Sequence, residues 1–512
     1  MQIRLKTDPE KKQTILEVLH ECGITSVPTP CGGRGRCGKC SVHIEGQERD
    51  VLACTTEAKD GMVVTIPGED GQEQIAEGSA CIPYAADGTD KLVAACDIGT
   101  TTVVCHLIDG KSGRILATAS ETNAQKSFGA DVISRIQAAK EGRLAELHAQ
   151  ITEQISHMLN KLYIQADKSK AEPNQDNYED PVSAVTNPVI DRLAVAGNTV
   201  MCHLLAGISP EPIGKAPFLP EQYFGTVFSG EEIGIRKCKE IYIAPSVSGY
   251  VGGDITADLL AVTPGHEEEE LLLLDIGTNG EMVLGSKGDY VCLAAAAGPA
   301  FEGAQIVMGM PAKKGAIAHV YLDQRRIRVQ VIGDTKATGI CGSGLLDALS
   351  VFLKLGLIDA EGRIRESKEV SVACRKYLGE YEKEACIYLA DGVCVTQEDI
   401  RNLQLAKAAI AAGIEILFRE RNTAYQDVDR LVLAGGFGSY LAPESAAAIG
   451  LIPKELLTVT IAVGNAAGAG AVSAAVSRAA RKKLTEIQKG MRYLELSSHP
   501  DFQELYISHM NF

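Results

Sequence analysis

The order of apolar and polar positions predicts a small α+β domain at the amino terminus. MQIRLK (1–6), KCSVHIEG (39–46) and MVVTIP (62–67) have the composition and apolar spacing of strands. TILEVLHECG (14–23) places its apolar side chains on one face of a short helix. The stretch from 68 to 90 is polar, acidic and without period, so we interpret it as a tether.

Two strand-turn-strand segments follow, 178 residues apart. They are KLVAACDIGTTTVVCHLID (91–109) and ELLLLDIGTNGEMVLG (270–285), and both turn through Asp-Ile-Gly-Thr. One such turn is weak evidence, because Asp and Gly are common in turns between strands. Two copies in one chain indicate a duplicated fold with two facing halves.

A third segment, DRLVLAGGFGSYLAPES (429–445), reads as a buried strand that ends in a glycine-rich loop. A long helical pattern (396–422) precedes it, and GNAAGAGAVSAAVSRAARKK (464–483) closes the predicted core. Glycines directly after a strand leave room for a ligand to lie against the backbone.

Composition excludes several classes of function. The chain has 512 residues, enough for two to four domains. Its net charge is −16 and it contains no Lys/Arg-rich block, so no nucleic-acid partner is expected. It shows no secretory h-region and no apolar run of about eighteen residues, so we expect a cytoplasmic protein with no membrane association.

Four cysteines near the amino terminus have the spacing of a cluster site. Cys31, Cys37 and Cys40 lie on one glycine-rich loop, and Cys54 follows fourteen residues later. Three thiolates on one loop with a fourth from a distance is the ferredoxin arrangement, which favours a 2Fe-2S cluster. Structural zinc, which more often uses two CxxC pairs, and free thiols remain alternatives.

The hairpins and the glycine loop carry the residue types that bind a nucleotide. Backbone amides and hydroxyls in each turn can surround phosphate oxygens, and an Asp at each strand end can hold hydrated Mg²⁺ or orient water. The Asp residues could instead serve as turn caps. The predicted site residues are Asp97, Gly99, Thr100 and Thr101, then Asp275, Gly277, Thr278 and Asn279, and for adenosine Gly435, Gly436 and Gly438.

Two phosphate hairpins and an adenosine loop in this order resemble the actin, sugar-kinase and heat-shock ATPase superfamily. Together with the cysteine loop, the chain resembles the ATP-dependent reductive activators of corrinoid proteins. Further stretches that resemble this family are GADVISRI (129–136), AGNTVMCHLL (196–205), PSVSGYVGGD (245–254), AAAAGPAFEG (294–303) and TGICGSGLLDAL (338–349).

The resemblance implies the fold class and the activity. The expected fold is a β-grasp 2Fe-2S ferredoxin, a short linker and duplicated RNase H-like, actin-like ATPase halves. The expected activity passes one electron to cobalt(II) of a methyltransferase's corrinoid, regenerating cobalt(I), with a 2Fe-2S cluster, ATP and Mg²⁺ as cofactors. None of the ten histidines lies in DxHxxG, the cobalt-ligand motif, so the corrinoid is expected on a partner protein. An upstream electron donor is expected too, and an apolar helix face could serve a homodimer.

The predicted boundaries are a ferredoxin-like domain (1–68), a linker (69–90), a first actin-like half (91–265), a carboxy-terminal ATPase half (266–485) and a tail without assigned role (486–512). Two other classes of function stay open. One is a small-molecule kinase with a redox-regulatory ferredoxin domain, although no catalytic base for a sugar pocket stands out. The other is a binding module or chaperone that uses ATP to open and close around a protein.

Overall fold

The structure is a computed structural model that describes residues 2–5, 7, 12–21, 27, 40–44, 50–65, 84–168, 189–438 and 441–512. The chain divides into two compact units. The first unit contains the described residues up to 65, those between 85 and 244, and the short segment 474–478. The second unit contains Tyr84, the described residues between 245 and 473, and residues 479–512.

The amino-terminal part of the first unit forms a small antiparallel sheet with one helix. Its elements are β1 (Gln2–Arg4), α1 (Ile15–Glu21), β2 (Ser41–Ile44), β3 (Val51–Leu52) and β4 (Val63–Thr65). The strand order is β1-β4-β2-β3. Apolar side chains of the helix and of the strands pack into one buried cluster. Strand β3 is missing from the sequence-based prediction because two residues are too few to show a period.

A second sheet in the first unit carries the first Asp-Ile-Gly-Thr turn. Its strands are β5 (Leu92–Ile98), β6 (Thr102–Asp109), β7 (Ile115–Thr122), β8 (Ile190–Gly197), β9 (Thr226–Ser229) and β10 (Cys238–Ile243), in the order β7-β6-β5-β8-β10-β9. Strands β5, β6 and β7 form an antiparallel meander, and β8 runs parallel to β5 and β10. Cys96 and Cys105 face each other across β5 and β6 and are joined by a disulfide.

Helices cover this sheet and connect its strands. They are α2 (Val132–Ala138), α3 (Leu144–Lys168), α4 (Thr199–Ala206) and the one-turn α5 (Gly230–Ile233). A wide helical turn, Ala139–Arg143, joins α2 to α3 at Gly142, whose φ of 90° lies in the left-handed region that favours glycine. Asp131 and Asn198 cap the amino ends of α2 and α4 with their side chains.

The second unit repeats the strand order of the first. Its strands are β11 (Leu271–Ile276), β12 (Gly280–Ser286), β13 (Asp289–Ala295), β14 (Ala316–Asp323), β15 (Arg326–Val331), β16 (Gly339–Ile340), β17 (Leu378–Tyr381), β18 (Glu384–Ala390), β19 (Val393–Thr396), β20 (Arg430–Ala434), β21 (Thr460–Gly464) and β22 (Met491–Tyr493). The main sheet has the order β21-β20-β11-β12-β13-β22. Its segment β13-β12-β11-β20-β21 corresponds to β7-β6-β5-β8-β10, so the predicted duplication is present.

The remaining strands of the second unit form two small sheets, β15-β14-β16 and β17-β18-β19. The helices of this unit are α6 (Gly253–Val262), α7 (Gly342–Leu355), α8 (Gln397–Arg421), α9 (Gly435–Gly438), α10 (Pro443–Ala448), α11 (Ala466–Val476), α12 (Arg478–Lys489) and α13 (Phe502–Ser508). Helix α8 begins with a capping box between Thr396 and Asp399 and is buried along most of its length.

Residues 486–512 are packed into the second unit. Strand β22 pairs in parallel with β13 at the edge of the main sheet. Helix α13 packs on α8, where His509 Nε2 lies 2.8 Å from Glu415 Oε2. The backbone N–H of Phe512 donates to Ala360 O at 2.8 Å. These contacts make the carboxy-terminal segment part of the core of this unit.

Candidate functional site

Two of the predicted cluster cysteines meet in the small amino-terminal sheet. Cys40 directly precedes β2 and Cys54 lies in the turn after β3, and both are buried. Their Sγ atoms are 3.1 Å apart. The Ala53 N–H donates to Cys40 O at 2.9 Å and fixes this approach. Cys31 and Cys37 lie outside the described residues.

The chemistry of this pair fits a 2Fe-2S cluster. Thiolates are the usual ligands of such clusters, and two sulfurs this close can bind one iron atom. No group of three or more His, Cys, Asp or Glu side chains arranged to hold a metal ion is found within the described residues. Because the other two predicted ligands lie outside that part of the chain, the described pair can supply only half of the predicted set.

The first predicted phosphate hairpin joins β5 to β6 in the first unit. Gly99 N–H donates to Thr102 O at 2.9 Å, which closes the turn. A Cβ on Gly99 would lie 2.9 Å from the same oxygen, so the tight turn requires glycine. Thr100 is 9% exposed, Thr101 is exposed, and Asp97 is partly buried at the end of β5.

The second predicted phosphate hairpin joins β11 to β12 in the second unit. Gly277 N–H donates to Asn279 O at 2.9 Å. The Thr278 hydroxyl donates to Glu302 Oε1 at 2.8 Å, and Asn279 Nδ2 donates to Glu281 Oε1 at 3.3 Å. The side chains of Thr278 and Asn279 are therefore both hydrogen-bonded to carboxylates.

Acidic side chains concentrate around Asp275. Glu281 lies opposite it in the β11–β12 pair. Burial raises the pKa of Asp275 to about 6, and a hydrogen bond with Asp258 acts in the opposite direction. Burial also raises the pKa of Glu281 well above its usual range, and the charges of Asp254 and Asp275 add to this. Burial makes the negative charge of these carboxylates unfavourable, and a bound cation such as Mg²⁺ would stabilise that charge.

The glycine loop after β20 lies directly beside Asp275. Ala434, the last residue of β20, pairs with Asp275. Gly435 has a φ of 84°, and a Cβ there would collide with Asp275 Oδ1. Gly436 is exposed with open space around its Cβ position, whereas Gly438 is buried. The structure thus brings the predicted adenosine loop and the second phosphate hairpin together.

Sequence reasoning missed several side chains in this region. Phe437 of the glycine loop stacks on Phe301, with ring centroids 5.2 Å apart. Gly342 at the start of α7 packs so closely on Phe301 that a side chain there would collide with Phe301 O. Phe301 and Glu302 lie in the stretch 294–303, Gly342 in 338–349 and Phe437 in the glycine loop 429–445, so the signal was present in the sequence.

Comparisons with known proteins agree with this architecture. The sequence matches a 2Fe-2S iron-sulfur cluster binding domain over residues 8–67. It matches the RACo middle region over residues 92–175 and 181–264, and the C-terminal ASKHA domain of RACo over residues 269–512. The fold class that the sequence predicts is confirmed, and an amino-terminal 2Fe-2S domain followed by an actin- and sugar-kinase-like fold defines the class of protein.

Similarity to full-length proteins identifies the family within this class. The corrinoid activation enzyme RamQ of Eubacterium limosum is 30% identical over 570 aligned positions, which cover 94% of this chain and 93% of that protein. A [Co(II) methylated amine-specific corrinoid protein] reductase of Methanosarcina barkeri is 26% identical over 63% of each chain. The solved structure of a reductive activator for corrinoid, iron-sulfur protein superposes with a TM-score of 0.71 at 29% identity, over 100% of this chain and 98% of that one. The chain belongs to the RACo family.

The described helices include none that is both long and apolar enough to cross a membrane.

Proposed function

We propose that this protein is an ATP-dependent reductive activator of a corrinoid protein. It transfers one electron to cobalt(II) of the corrinoid, which becomes cobalt(I), while the reduced 2Fe-2S cluster returns to its oxidised state. The observation that carries the proposal is that one chain combines the Cys40–Cys54 pair with a carboxylate- and glycine-lined turn region that we propose binds the nucleotide. The names of its full-length relatives support the same reaction.

In this reaction, the role of ATP is to make an unfavourable electron transfer possible. Ferredoxin-type clusters have potentials of roughly −400 mV, and cobalt(II) in a corrinoid is harder to reduce. Each deficit of about 59 mV in a one-electron transfer lowers the equilibrium constant tenfold. We infer that nucleotide binding or hydrolysis changes the complex with the corrinoid protein so that cobalt(II) becomes easier to reduce. A separate electron donor must supply the cluster with each new electron.

The proposed roles follow from the residue types. Cys31, Cys37, Cys40 and Cys54 would ligate the cluster, which supplies a single low-potential electron. Carboxylates at the two hairpins, Asp97 and Asp275, would hold hydrated Mg²⁺ or orient water. The phosphates would be bound by Gly99, Thr100, Thr101, Gly277, Thr278 and Asn279, and the adenosine by Gly435, Gly436 and Gly438.

Anaerobic reconstitution tests this function. The iron- and sulfide-loaded protein is mixed with titanium citrate and a cobalt(II) corrinoid protein, with and without MgATP, and the cobalt(I) absorbance is followed. We expect cobalt(I) to accumulate faster with ATP, and equal rates would reject the coupling. A parallel screen for ADP release with sugars and polyols, without any corrinoid protein, tests the kinase alternative. A substrate-specific burst of ADP there would favour the kinase.

A further inference from the structure

A buried arginine lies beneath the first phosphate hairpin. Arg135 of α2 is 0% exposed. Its Nη2 donates to Thr100 O at 2.5 Å and its Nε donates to Gly129 O at 3.1 Å. A buried guanidinium is costly unless its donors are hydrogen-bonded, so the position of Arg135 is tied to the conformation of the hairpin.

Asn123 holds the same hairpin at two further points. Its Nδ2 donates to Gly99 O at 2.8 Å, and its backbone N–H donates to Thr101 O, also at 2.8 Å. The side chain is fully buried, and its Oδ1 accepts from Gln125 N at 2.9 Å. The three successive carbonyls of the turn, at residues 99, 100 and 101, are therefore all bound by Asn123 or Arg135.

These hydrogen bonds to the turn carbonyls determine the direction of the peptide N–H groups of Thr100 and Thr101. In a trans peptide the N–H lies on the side opposite the preceding carbonyl. The N–H of Thr100 shares its plane with Gly99 C=O, and the N–H of Thr101 shares its plane with Thr100 C=O. The N–H of Thr100 consequently points away from Asn123 Nδ2 and the N–H of Thr101 points away from Arg135 Nη2, which is the orientation that a hairpin needs to receive an anion.

Asn198 sets the direction of the Thr100 hydroxyl. Its Oδ1 accepts from Met201 N at 3.0 Å as the cap of α4, so its amide nitrogen is the atom that faces the hairpin. That Nδ2 donates to Thr100 Oγ1 at 3.1 Å. Because the hydroxyl oxygen already accepts this bond, its own hydrogen is directed to another acceptor.

We propose that Arg135, Asn123 and Asn198 are positioning residues that hold the Thr100 hydroxyl and the hairpin amides as donors to a phosphoryl oxygen of ATP. The inference rests on the proposed nucleotide-binding function and adds a second set of residues to it. Arginine keeps its charge at all accessible pH values, so this buried cation also favours an anion at the turn. The stretches 129–136 and 196–205, which contain Arg135 and Asn198, thereby acquire a role.

The first test compares nucleotides on two matched variants. Thr100→Val removes the hydroxyl at nearly constant volume, and Asn198→Ser keeps a side chain able to cap α4 but cannot reach Thr100. We expect Thr100→Val to weaken ATP binding at least about tenfold and Asn198→Ser about three- to tenfold. Adenosine, which lacks phosphates, should bind as it does to the wild type. Calorimetric titration with ATP and adenosine measures both affinities.

A double-mutant cycle tests whether Asn198 and the Thr100 hydroxyl act together on ATP binding. If Asn198 acts through the Thr100 hydroxyl, adding Asn198→Ser to Thr100→Val should cost little more ATP affinity than Thr100→Val alone. Independent, additive losses would overturn the proposal, and so would equal losses for ATP and adenosine. Arg135→Lys, which keeps the charge but not the two-point contact, should also lower the ATP-to-adenosine affinity ratio. An unchanged ratio in a folded Arg135→Lys protein would contradict its role.

Different results would overturn the proposed function and the proposed positioning residues. A wild-type protein that binds no ATP would remove the proposed function itself. A wild-type protein that binds ATP, together with Arg135 and Asn198 variants whose ATP-to-adenosine ratio is unchanged, would remove only the positioning roles of these residues. Thermal melting of each variant by circular dichroism shows whether a loss of binding reflects unfolding.

Discussion

Gly435 is packed against Asp275 so closely that a methyl group on its Cα would overlap Asp275 Oδ1. The two residues are adjacent because β20 and β11 are neighbouring parallel strands. Ala434, which directly precedes Gly435, pairs with Asp275. The left-handed φ of 84° at Gly435 turns the chain immediately after the strand. The glycine loop can therefore approach the phosphate hairpin only if this position has no side chain.

Gly435→Ala should disturb both the fold and nucleotide binding. The new Cβ meets Asp275, and alanine at positive φ adds backbone strain of about 1–3 kcal/mol. We expect a lower melting temperature and a large loss of ATP affinity. Gly436→Ala is the matched control for stability, since a Cβ there has no neighbour within 4 Å. Equal melting temperatures for the two variants would contradict this account.

Cys40→Ser and Cys54→Ser should each prevent normal cluster assembly. The two sulfurs are 3.1 Å apart and buried, and serine is a poor substitute for a thiolate ligand of iron. We expect lower iron content after loading and loss of the electron paramagnetic resonance signal of the reduced cluster. Cys238→Ala, a buried cysteine on β10, serves as control. Full iron content in Cys40→Ser would exclude this residue as a ligand.

The sequence predicts the elements whose pattern is local. Four leucines precede the turn of the second hairpin and Gly280 follows it. The apolar run and the turn residues therefore predict this hairpin without other information. Helix α8 is predicted over 396–422 and spans Gln397–Arg421, because its apolar face repeats over seven turns. The cysteine spacing likewise predicts a cluster before any fold is known.

Contacts between distant segments could not be predicted in this way. Arg135 and Thr100 are 35 residues apart, and nothing local to either residue specifies their hydrogen bond. Strand β22 is three residues long, too short to show a period, and it pairs with β13 just over two hundred residues earlier. Thr278 and Glu302 meet because a short helical turn, Pro299–Glu302, lies between glycines with φ of 76° on each side.

Glu302→Gln should alter the dependence of nucleotide binding on Mg²⁺. Glutamine keeps the size of the side chain and can still accept the Thr278 hydroxyl, but it lacks the negative charge. If this carboxylate helps to hold hydrated Mg²⁺ at the hairpin, the Mg²⁺ concentration for half-maximal ATP binding should rise about tenfold, the effect of ~1.4 kcal/mol. Titration of ATP binding with Mg²⁺ measures the shift.

The control for that experiment is Glu366→Gln. Glu366 is an exposed carboxylate of the same unit whose partner is Lys368, so its loss changes net charge without touching the hairpin. Its Mg²⁺ titration should coincide with that of the wild type. Coincident curves for Glu302→Gln and the wild type would show that Glu302 does not contribute to cation binding.

Lys407 gives the second unit a pH-dependent stability. It is 1% exposed on α8, its Nζ donates to Asn511 O at 2.5 Å, and it lies 5.5 Å from the centre of the Phe512 ring. Burial lowers the pKa of Lys407 from its usual 10.5 to about 8. Between these two pH values the unfolded chain binds more protons at this site than the folded chain, so the free energy of unfolding rises with pH there.

We therefore expect the wild type to gain stability from pH 8 to pH 10 relative to Lys407→Met. Across the full window the gain at this site is on the order of 3 kcal/mol, because each pKa unit corresponds to about 1.4 kcal/mol. Well below pH 8 the lysine is protonated in both states, and the difference between the two proteins should be constant there. Melting temperatures of both proteins at half-unit steps of pH measure the effect, since other titrating groups are common to both and cancel in the comparison. Parallel curves from pH 7 to pH 10 would mean that Lys407 titrates normally despite its burial.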